Sequence, residues 1–534
     1  MNFGFIVDNR KCIGCHACTV ACKSEHEVPI GVNRTWVKYI EKGEFPYTQR
    51  TFTVMRCNHC ANAPCVEICP VTALYTRTDG IVDFDNQRCI GCKACTQACP
   101  YDALFINPEN NTAAKCNYCA HRVDIGLEPA CVNVCPEHAI VSGDLENPQS
   151  EIATLLNTQR VQVRKPEKGT KPKLFYIDGD GAALTPIAAE QQAAYVWSAQ
   201  ARGVGHHVRE IDESSPSGNG NGSVDLRFLV GASASKASWW NLLVSPEKAR
   251  RVYDAPSKGI LWGWEVPAYL WTKAIASGAA SLPFSLSTFG RGNEQLEWIG
   301  VVMSLVFLGL TGLFLIADLD RPDRFLNVLF RPQWKSWLVK GAYTITCFGG
   351  LLTFWIIAKL LDWHAAAMTI GLITIPFAIL SAVYTAFLFA QAKGRDYWQH
   401  PTLPVHMFLH SIMAGSAALV IASGFGNRID ISTATFLSTG LLWSTGAHAL
   451  LSVAEMFMHH ATQDAKLASK IITHGKFKMP FWLGVILVGN ILPIIILAFA
   501  PTQSMLVLAS FGVLAGIAIL NSITVRAPQL IPLS

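Results

Sequence analysis

Residues 89–100 read CIGCKACTQACP. Cysteines stand at 89, 92, 95 and 99, a C-x2-C-x2-C-x3-C run closed by Pro100. Three thiols spaced three apart on a tight turn reach one side of a compact inorganic core. The fourth begins the next element and points to a neighbouring core. Gly91 permits the close turn. The same run recurs at 12–22, CIGCHACTVAC, with Cys12, Cys15, Cys18, Cys22 and with Gly14 in the matching place. Two looser groups complete the set: Cys57, Cys60, Cys65 and Cys69, then Cys116, Cys119, Cys131 and Cys135. A cubane presents four irons, each needing one thiolate, so four groups of four predict four [4Fe–4S] clusters held by these sixteen cysteines.

Rival uses of the cysteines fit less well. Zinc favours C-x2-C pairs separated by a longer loop, which describes groups two and four in isolation but not groups one and three. A disulfide scaffold belongs to secreted domains, and the start, MNFGFIVDNRK, has neither an apolar leader stretch nor a twin arginine. No group lacks a cysteine, so nothing points to a three-iron cluster. Spacing leaves open which groups share a pair of clusters. The seventeenth cysteine, Cys347, lies in an apolar run and reads as a small packing residue.

Around the cysteines run short strand patterns, at Ile6–Asp8, Gly80–Asp85 and Ala103–Asn107. They predict an α+β, ferredoxin-like four-cluster domain over residues 1–190. Residues 23–56 form an insertion whose Trp36 and Tyr39 are candidates to shield a cluster from water. Residues 151–180 read as a short helix and then a basic extended strap. No G-x-G-x-x-G follows a strand, so no nicotinamide site is expected. No nucleophile–base pair and no nucleic-acid motif stands out. The glycines at 218–222 and the pair His206–His207 sit in a polar linker, 191–259, and read as solvated chain; Trp239 and Trp240 suggest a membrane interface toward its end.

Composition shifts sharply after residue 260. The whole chain has 534 residues, 51% hydrophobic and only 15% charged, against about 25% charged in a soluble protein. Eight apolar runs fit membrane spans, at roughly 260–284, 296–317, 336–358, 364–390, 404–424, 433–458, 481–500 and 503–523. An all-α eight-helix bundle over 260–524 is therefore expected. Fifteen lysines and arginines, from Lys248 to Arg526, flank the spans on the side of the N-terminus, against Arg291, Lys359 and Arg428 on the other. Positive loops stay inside, so the clusters are expected on the cytoplasmic side of the inner membrane.

Ionisable residues inside lipid are costly and commonly functional. Glu265, Asp318, His406, His410, Glu455 and His459 all fall toward the positive side, with Lys273 and His448 deeper. Glu265, Asp318, His410 and Glu455 are the candidates for a quinone and proton site, since a quinone needs hydrogen-bond partners and a proton route. Plainer roles exist: Asp318 beside a loop arginine, His406 at the interface, Lys273 paired to Glu265. Haem would need two histidines at matching depth. Only His410 and His448 lie well inside, and their sequence positions suggest different depths, so no haem is expected.

The first 190 residues resemble the four-cluster electron-transfer subunits of molybdopterin oxidoreductases, such as those for dimethyl sulfoxide, polysulfide and tetrathionate. The likeness rests on the two runs above and on CNHCANAPCVEICP (57–70) and CNYCAHRVDIGLEPACVNVCP (116–136). It implies that group one pairs with four and group two with three: Cys12, Cys15, Cys18 with Cys135; Cys116, Cys119, Cys131 with Cys22; Cys57, Cys60, Cys65 with Cys99; and Cys89, Cys92, Cys95 with Cys69. The membrane half is similar to polysulfide reductase-type (NrfD-like) anchors through WGWEVPAYLW (262–271) and DLDRPDRFLNVLFRPQWKSWLVKGAY (318–343). That family implies eight spans, no haem, and quinone bound near the cluster subunit with help from Glu265 and Asp318. Its loop more often reads DLGRP, so Asp320 is an extra carboxylate. The resemblances imply a fusion of two usually separate subunits that relays electrons between a molybdopterin (Mo or W) catalytic subunit, supplied in trans, and quinone. Rival readings are an ion-translocating anchor with quinone handled elsewhere, and a partner for a hydrogenase-type catalytic subunit.

Overall fold

A computed structural model describes residues 1–43, 46–191, 249–255, 257–424, 431–458, 460–499 and 502–534. Most of the 191–259 linker, including the glycine run, His206, His207, Trp239 and Trp240, lies outside the described residues, and so does His459.

Each C-x2-C-x2-C run folds as a loop into a short helix that begins just before its third cysteine, Ala17–Glu25 in the first and Ala94–Ala98 in the second. Two left-handed residues shape each loop: Gly14 and His16 at φ 73° and 61°, Gly91 and Lys93 at φ 70° and 59°. Glycine takes this conformation freely, whereas His16 and Lys93 incur a steric cost. Alternating left-handed residues curl the backbone so that the intervening thiols face one side. A Cβ at Gly91 would meet the Cβ of Asp320 at 2.7 Å and the Asn111 carbonyl at 3.0 Å. The loop is therefore also pressed against the bundle.

Two four-stranded sheets and two hairpins frame the loops. In one sheet, Phe3–Asp8 runs antiparallel to Ile140–Asp144 and parallel to Leu174–Ile177. The predicted basic strap thus contains a core strand. In the other, Thr35–Lys42 and Gln49–Arg56 form a hairpin, and Arg250–Tyr253 pairs with its outer edge. The end of the expected linker is therefore a strand of the cluster domain rather than an interfacial segment. Its registration is fixed by buried charge: Asp254 lies 3.2 Å from Arg251 and 3.6 Å from Lys38 and accepts a 2.7 Å hydrogen bond from Trp36 Nε1. Tyr39 donates to the Gly14 carbonyl, and its ring packs against Phe52, Tyr253 and His16 over the first cysteine loop.

The bundle comprises α1 (Glu265–Thr288), α2 (Glu294–Ala317), α3 (Trp337–Leu360), α4 (His364–Gln391), α5 (Leu403–Gly424), α6 (Ile431–Phe457), α7 (Pro480–Phe499, π-helical over Pro480–Ile491) and α8 (Gln503–Arg526). Among the described residues, six helices are long and apolar enough to cross a membrane: α2, α3, α4, α5, α7 and α8. The other two match them in length, at 24 residues for α1 and 27 for α6. α1 is the hub, packed on α2, α4, α5 and α8. Small residues make this possible: a Cβ on Gly415 would lie 2.4 Å from Gly278 Cα, so α1 and α5 cross backbone to backbone. Cys347 is exposed on α3 rather than packed inside.

The cluster domain sits on the bundle through a polar seam. Arg324 donates to the carbonyls of Asn86 (2.7 Å) and Cys89 (3.1 Å), Ser336 to that of Ile68 (2.7 Å), and Trp262 Nε1 to that of Cys92 (3.1 Å). Below it, Trp262, Phe389 and Trp398 stack with centroids 4.8–5.8 Å apart. Several of the cations counted as membrane-flanking are thus bound to the cluster domain.

Candidate functional site

The sixteen cysteines of the N-terminal domain are all free of disulfides. Their thiols fall into four groups of neighbours. Burial, then Cys135 and Cys15, push the Cys12 thiol up; burial holds Cys18 at about 12, opposed by Arg56 and reinforced by Cys131 and Cys12. Cys22 is raised by burial and by Cys116, Cys131 and Cys119. Cys65 is raised by burial, Cys99, Cys57 and Cys60, against the pull of Lys115. Cys95 is raised by burial, Cys92, Cys89 and Cys69. The fourth cysteine of each run has crossed to the group of another. Group one meets group four, and group two meets group three.

The four groups also touch in series. Cys18 neighbours Cys131, Cys57 neighbours Cys116, and Cys95 neighbours Cys65. At one end Cys15 is exposed, and Ile13, Val20 and Val134 around it are 55%, 64% and 40% exposed. At the other end the loop carrying Cys89, Cys92 and Cys95 lies against the bundle.

The surroundings fit an iron–sulfur core. Buried thiols disfavour the charged form, yet cluster ligands must be thiolates, so positive charge and donors are needed nearby. Arg56 is fully buried, donates to Cys131 Sγ at 3.0 Å, and keeps Nε and Nη2 buried with no protein partner. His59 Nε2 is likewise buried and unpartnered. Backbone N–H groups of Ala73, Ala113 and Ala139 point at Cys69, Cys89 and Cys135 Sγ at 3.2–3.4 Å. Buried donors without a protein partner, on residues within and beside the cysteine groups, suit a sulfide-rich core.

The four membrane candidates separate into two places. Asp318 lies at the cluster side of α2. Lys93, between Cys92 and Ala94, reaches Asp320 Oδ1 at 3.2 Å and Asp318 Oδ1 at 3.6 Å, and donates to the Asp318 carbonyl at 2.8 Å. Glu265 adds to the negative field on the same ammonium. The partner of Asp318 is therefore a lysine of the cluster loop and not a loop arginine. Sequence reading passed over Lys93, whose only local signal is a charged residue inside a cysteine run.

His410 and Glu455 line a half-open cleft instead, about 910 Å³ with the open space at its mouth. His406, Ser452, Asn521 and Thr524 supply further polar groups, and Leu270, Met407, Phe481 and Leu520 the apolar wall. Glu455 accepts from Thr402 and from His406 Nε2, the latter at 2.9 Å. His406 is thus buried in a hydrogen bond to Glu455 rather than left at the interface. His410 Nε2 lies 3.1 Å from His448 Nε2. The two are at the same depth because α5 and α6 run antiparallel, which corrects the expected mismatch. A porphyrin does not fit between nitrogens so close. Asn490 on α7 completes the group, its Oδ1 2.9 Å from His448 Nδ1; its signal in the sequence is a lone amide in the apolar run GVILVGNILPIII. Lys273 does not pair with Glu265. Eight residues of helix separate them by about 12 Å, and Lys273 donates to Thr385 with its ammonium 4.2 Å over the Tyr384 ring.

Comparison with known proteins follows the same division. Residues 254–532 match the family described as polysulphide reductase, NrfD. Residues 48–145 match a 4Fe-4S dicluster domain and residues 10–28 a 4Fe-4S binding domain. The N-terminal part is 46% identical over 196 residues to a tetrathionate reductase subunit of Salmonella typhimurium, covering 36% of this chain and 78% of that protein. It is 42% identical over 180 residues to a polysulfide reductase chain of Wolinella succinogenes (33% and 93%). It is 34% identical over 231 residues to the arsenate respiratory reductase iron-sulfur subunit of Shewanella sp. strain ANA-3 (34% and 98%). The protein belongs to the polysulphide reductase NrfD family and carries, in the same polypeptide, the iron–sulfur electron-transfer subunit of such reductases.

Proposed function

We propose that the chain passes electrons between a molybdopterin catalytic subunit, supplied in trans, and quinone in the inner membrane. The sixteen cysteines would hold four [4Fe–4S] clusters, in the order Cys12/15/18/135, Cys22/116/119/131, Cys57/60/65/99 and Cys69/89/92/95. When bound, such clusters take up and release one electron each. The protein's part is to set their spacing, shield them, and bring the last against the membrane. Exposed Cys15, Ile13, Val20 and Val134 suit docking of the catalytic partner at the outer end.

The observation that carries the quinone reading is the cleft. It combines an apolar wall for a ring with Glu455, His406 and His410 for its oxygens, and Leu270 and Met407 belong to the same packed core as the innermost cysteine loops. A quinone there would meet His410 at one of its oxygens and exchange protons through Glu455. Glu265 and Asp318 act from the cluster side, where with Lys93 they fix the last loop to α1 and α2. Eight spans and a cytoplasmic cluster domain accord with the loop charges.

The test is quinone turnover in His410→Ala and Glu455→Gln, compared with Glu265→Gln, with iron content and EPR of the clusters measured alongside. The cleft variants should lose at least about tenfold in turnover, the cost of one hydrogen bond to a charged group, with cluster signals intact. Full activity in both would reject the cleft as the quinone site.

A further inference from the structure

We propose that His406, His410 and His448 bind one divalent transition-metal ion of the zinc class in the wall of the cleft. Outside the cysteine groups, these three histidines place one ligand atom each within 4.8 Å of the others, and all three side chains are buried.

The hydrogen bonds around the group decide which nitrogens face the ion. Asn490 Nδ2 donates to the Val485 carbonyl at 2.7 Å, which turns its Oδ1 toward His448. His448 must then carry its proton on Nδ1, leaving a lone pair on Nε2. Glu455 accepts from His406 Nε2, so the lone pair of His406 is on Nδ1, and that nitrogen is buried without a protein partner. His410 Nε2 donates to His448 Nε2 across 3.1 Å. Two nitrogens on a tetrahedral zinc, each bonded at about 2.0–2.1 Å, lie about 3.3 Å apart. The His410–His448 separation is already that of a coordinated pair.

This is the arrangement that outer partners give a metal-binding histidine: a carboxylate or amide oxygen holds the far N–H and aims the near lone pair. Glu455 does so for His406 and Asn490 for His448. Loading the ion requires only that the His410 proton shift from Nε2 to Nδ1, so three neutral imidazoles bind with no net proton release. The Glu455 carboxylate offsets part of the ion's charge in an apolar setting. Because His406 and His410 also line the cleft, the remaining coordination position is left to a group within it. Three histidines plus one open position is a zinc-type set. Binding of the ion does not depend on the quinone reading.

The experiment uses the full chain with its clusters, purified without air. It is equilibrated with Zn2+, passed over a chelating resin, and assayed for zinc and iron per polypeptide. One retained zinc is expected, and its K-edge absorption should show a nitrogen shell at about 2.0–2.1 Å, against about 2.3 Å for thiolate. His410→Ala should abolish retention. Asn490→Ala, which leaves all three imidazoles in place, should weaken zinc binding by roughly 10–100-fold. Unchanged iron content confirms that each variant is folded. No retained zinc in the native protein, a sulfur shell, or undiminished affinity in Asn490→Ala would overturn the proposal.

Discussion

Replacing Lys93 with methionine removes an ammonium that faces both Asp318 and Asp320 at the seam. The Lys93 side chain is 8% exposed, and the two carboxylates are 11% and 8% exposed. At 3.2 and 3.6 Å, each contact is worth about 5 kcal/mol before desolvation, at an effective dielectric near 20. Much of that is offset by the cost of burying the three groups. What the variant loses is the compensation of two buried carboxylates, for which breaking a buried pair costs about 3–5 kcal/mol. For a domain of this size, that lowers the apparent melting midpoint of the cluster domain by roughly 6–20 °C. Differential scanning fluorimetry in detergent, at constant iron loading, reads the shift. Adding Asp320→Asn to Lys93→Met should recover part of it, because one of the two carboxylates that faced the ammonium is gone. A midpoint within about 1 °C of the native value, or no recovery in the double variant, would refute the reasoning.

Asp254→Asn strands Lys38 and Arg251 in the second sheet and should destabilise it by about 3–5 kcal/mol in thermal or denaturant unfolding. Burial raises the Asp254 carboxyl, but Lys38 and Arg251 outweigh it and hold it below its usual 3.8. The native protein's advantage over this variant is therefore complete above that value and shrinks as pH falls beneath it, which a pH series of midpoints would show. Gly415→Val places side-chain atoms where α1 and α5 meet backbone to backbone, so it should cost at least about 1–3 kcal/mol and lower quinone turnover with iron content unchanged. Cys22→Ser and Cys119→Ser should perturb the same EPR signal, and Cys15→Ser a different one; a shared change in Cys22→Ser and Cys15→Ser would break the proposed grouping.

The cysteine loops were legible because coordination demands fixed residue types at fixed intervals, and glycine marks the turns. Helix ends in the bundle were legible for a similar reason, since lipid tolerates few polar residues over a span's length. Partnerships were not. Lys93 and Asp318 are 225 residues apart, and no local pattern links them. Arg250–Tyr253 reads as linker until the hairpin it completes is seen. His410 and His448 appeared mismatched because depth depends on where each helix enters the membrane. Asn490 was visible as an isolated amide, but its role is set by Val485 and His448, one local and one on another helix.

The stretch after α8 has a bearing on biogenesis. Gln529 Oε1 accepts from the N–H groups of Leu261 and Trp262 at 3.0 Å and from Gln97 at 3.2 Å, while Arg395 and Arg164 grip the carbonyls of Pro528, Ile531 and Leu533. These residues emerge from the ribosome only after every helix has been made. The contacts that Gln97 and Arg164 make with this stretch can therefore form only after those that tie the cluster domain to Trp262, Asp320 and Arg324. Seating of residues 528–533 is thus the last step in joining the two halves, a latch set over contacts already made nearer the start of the bundle.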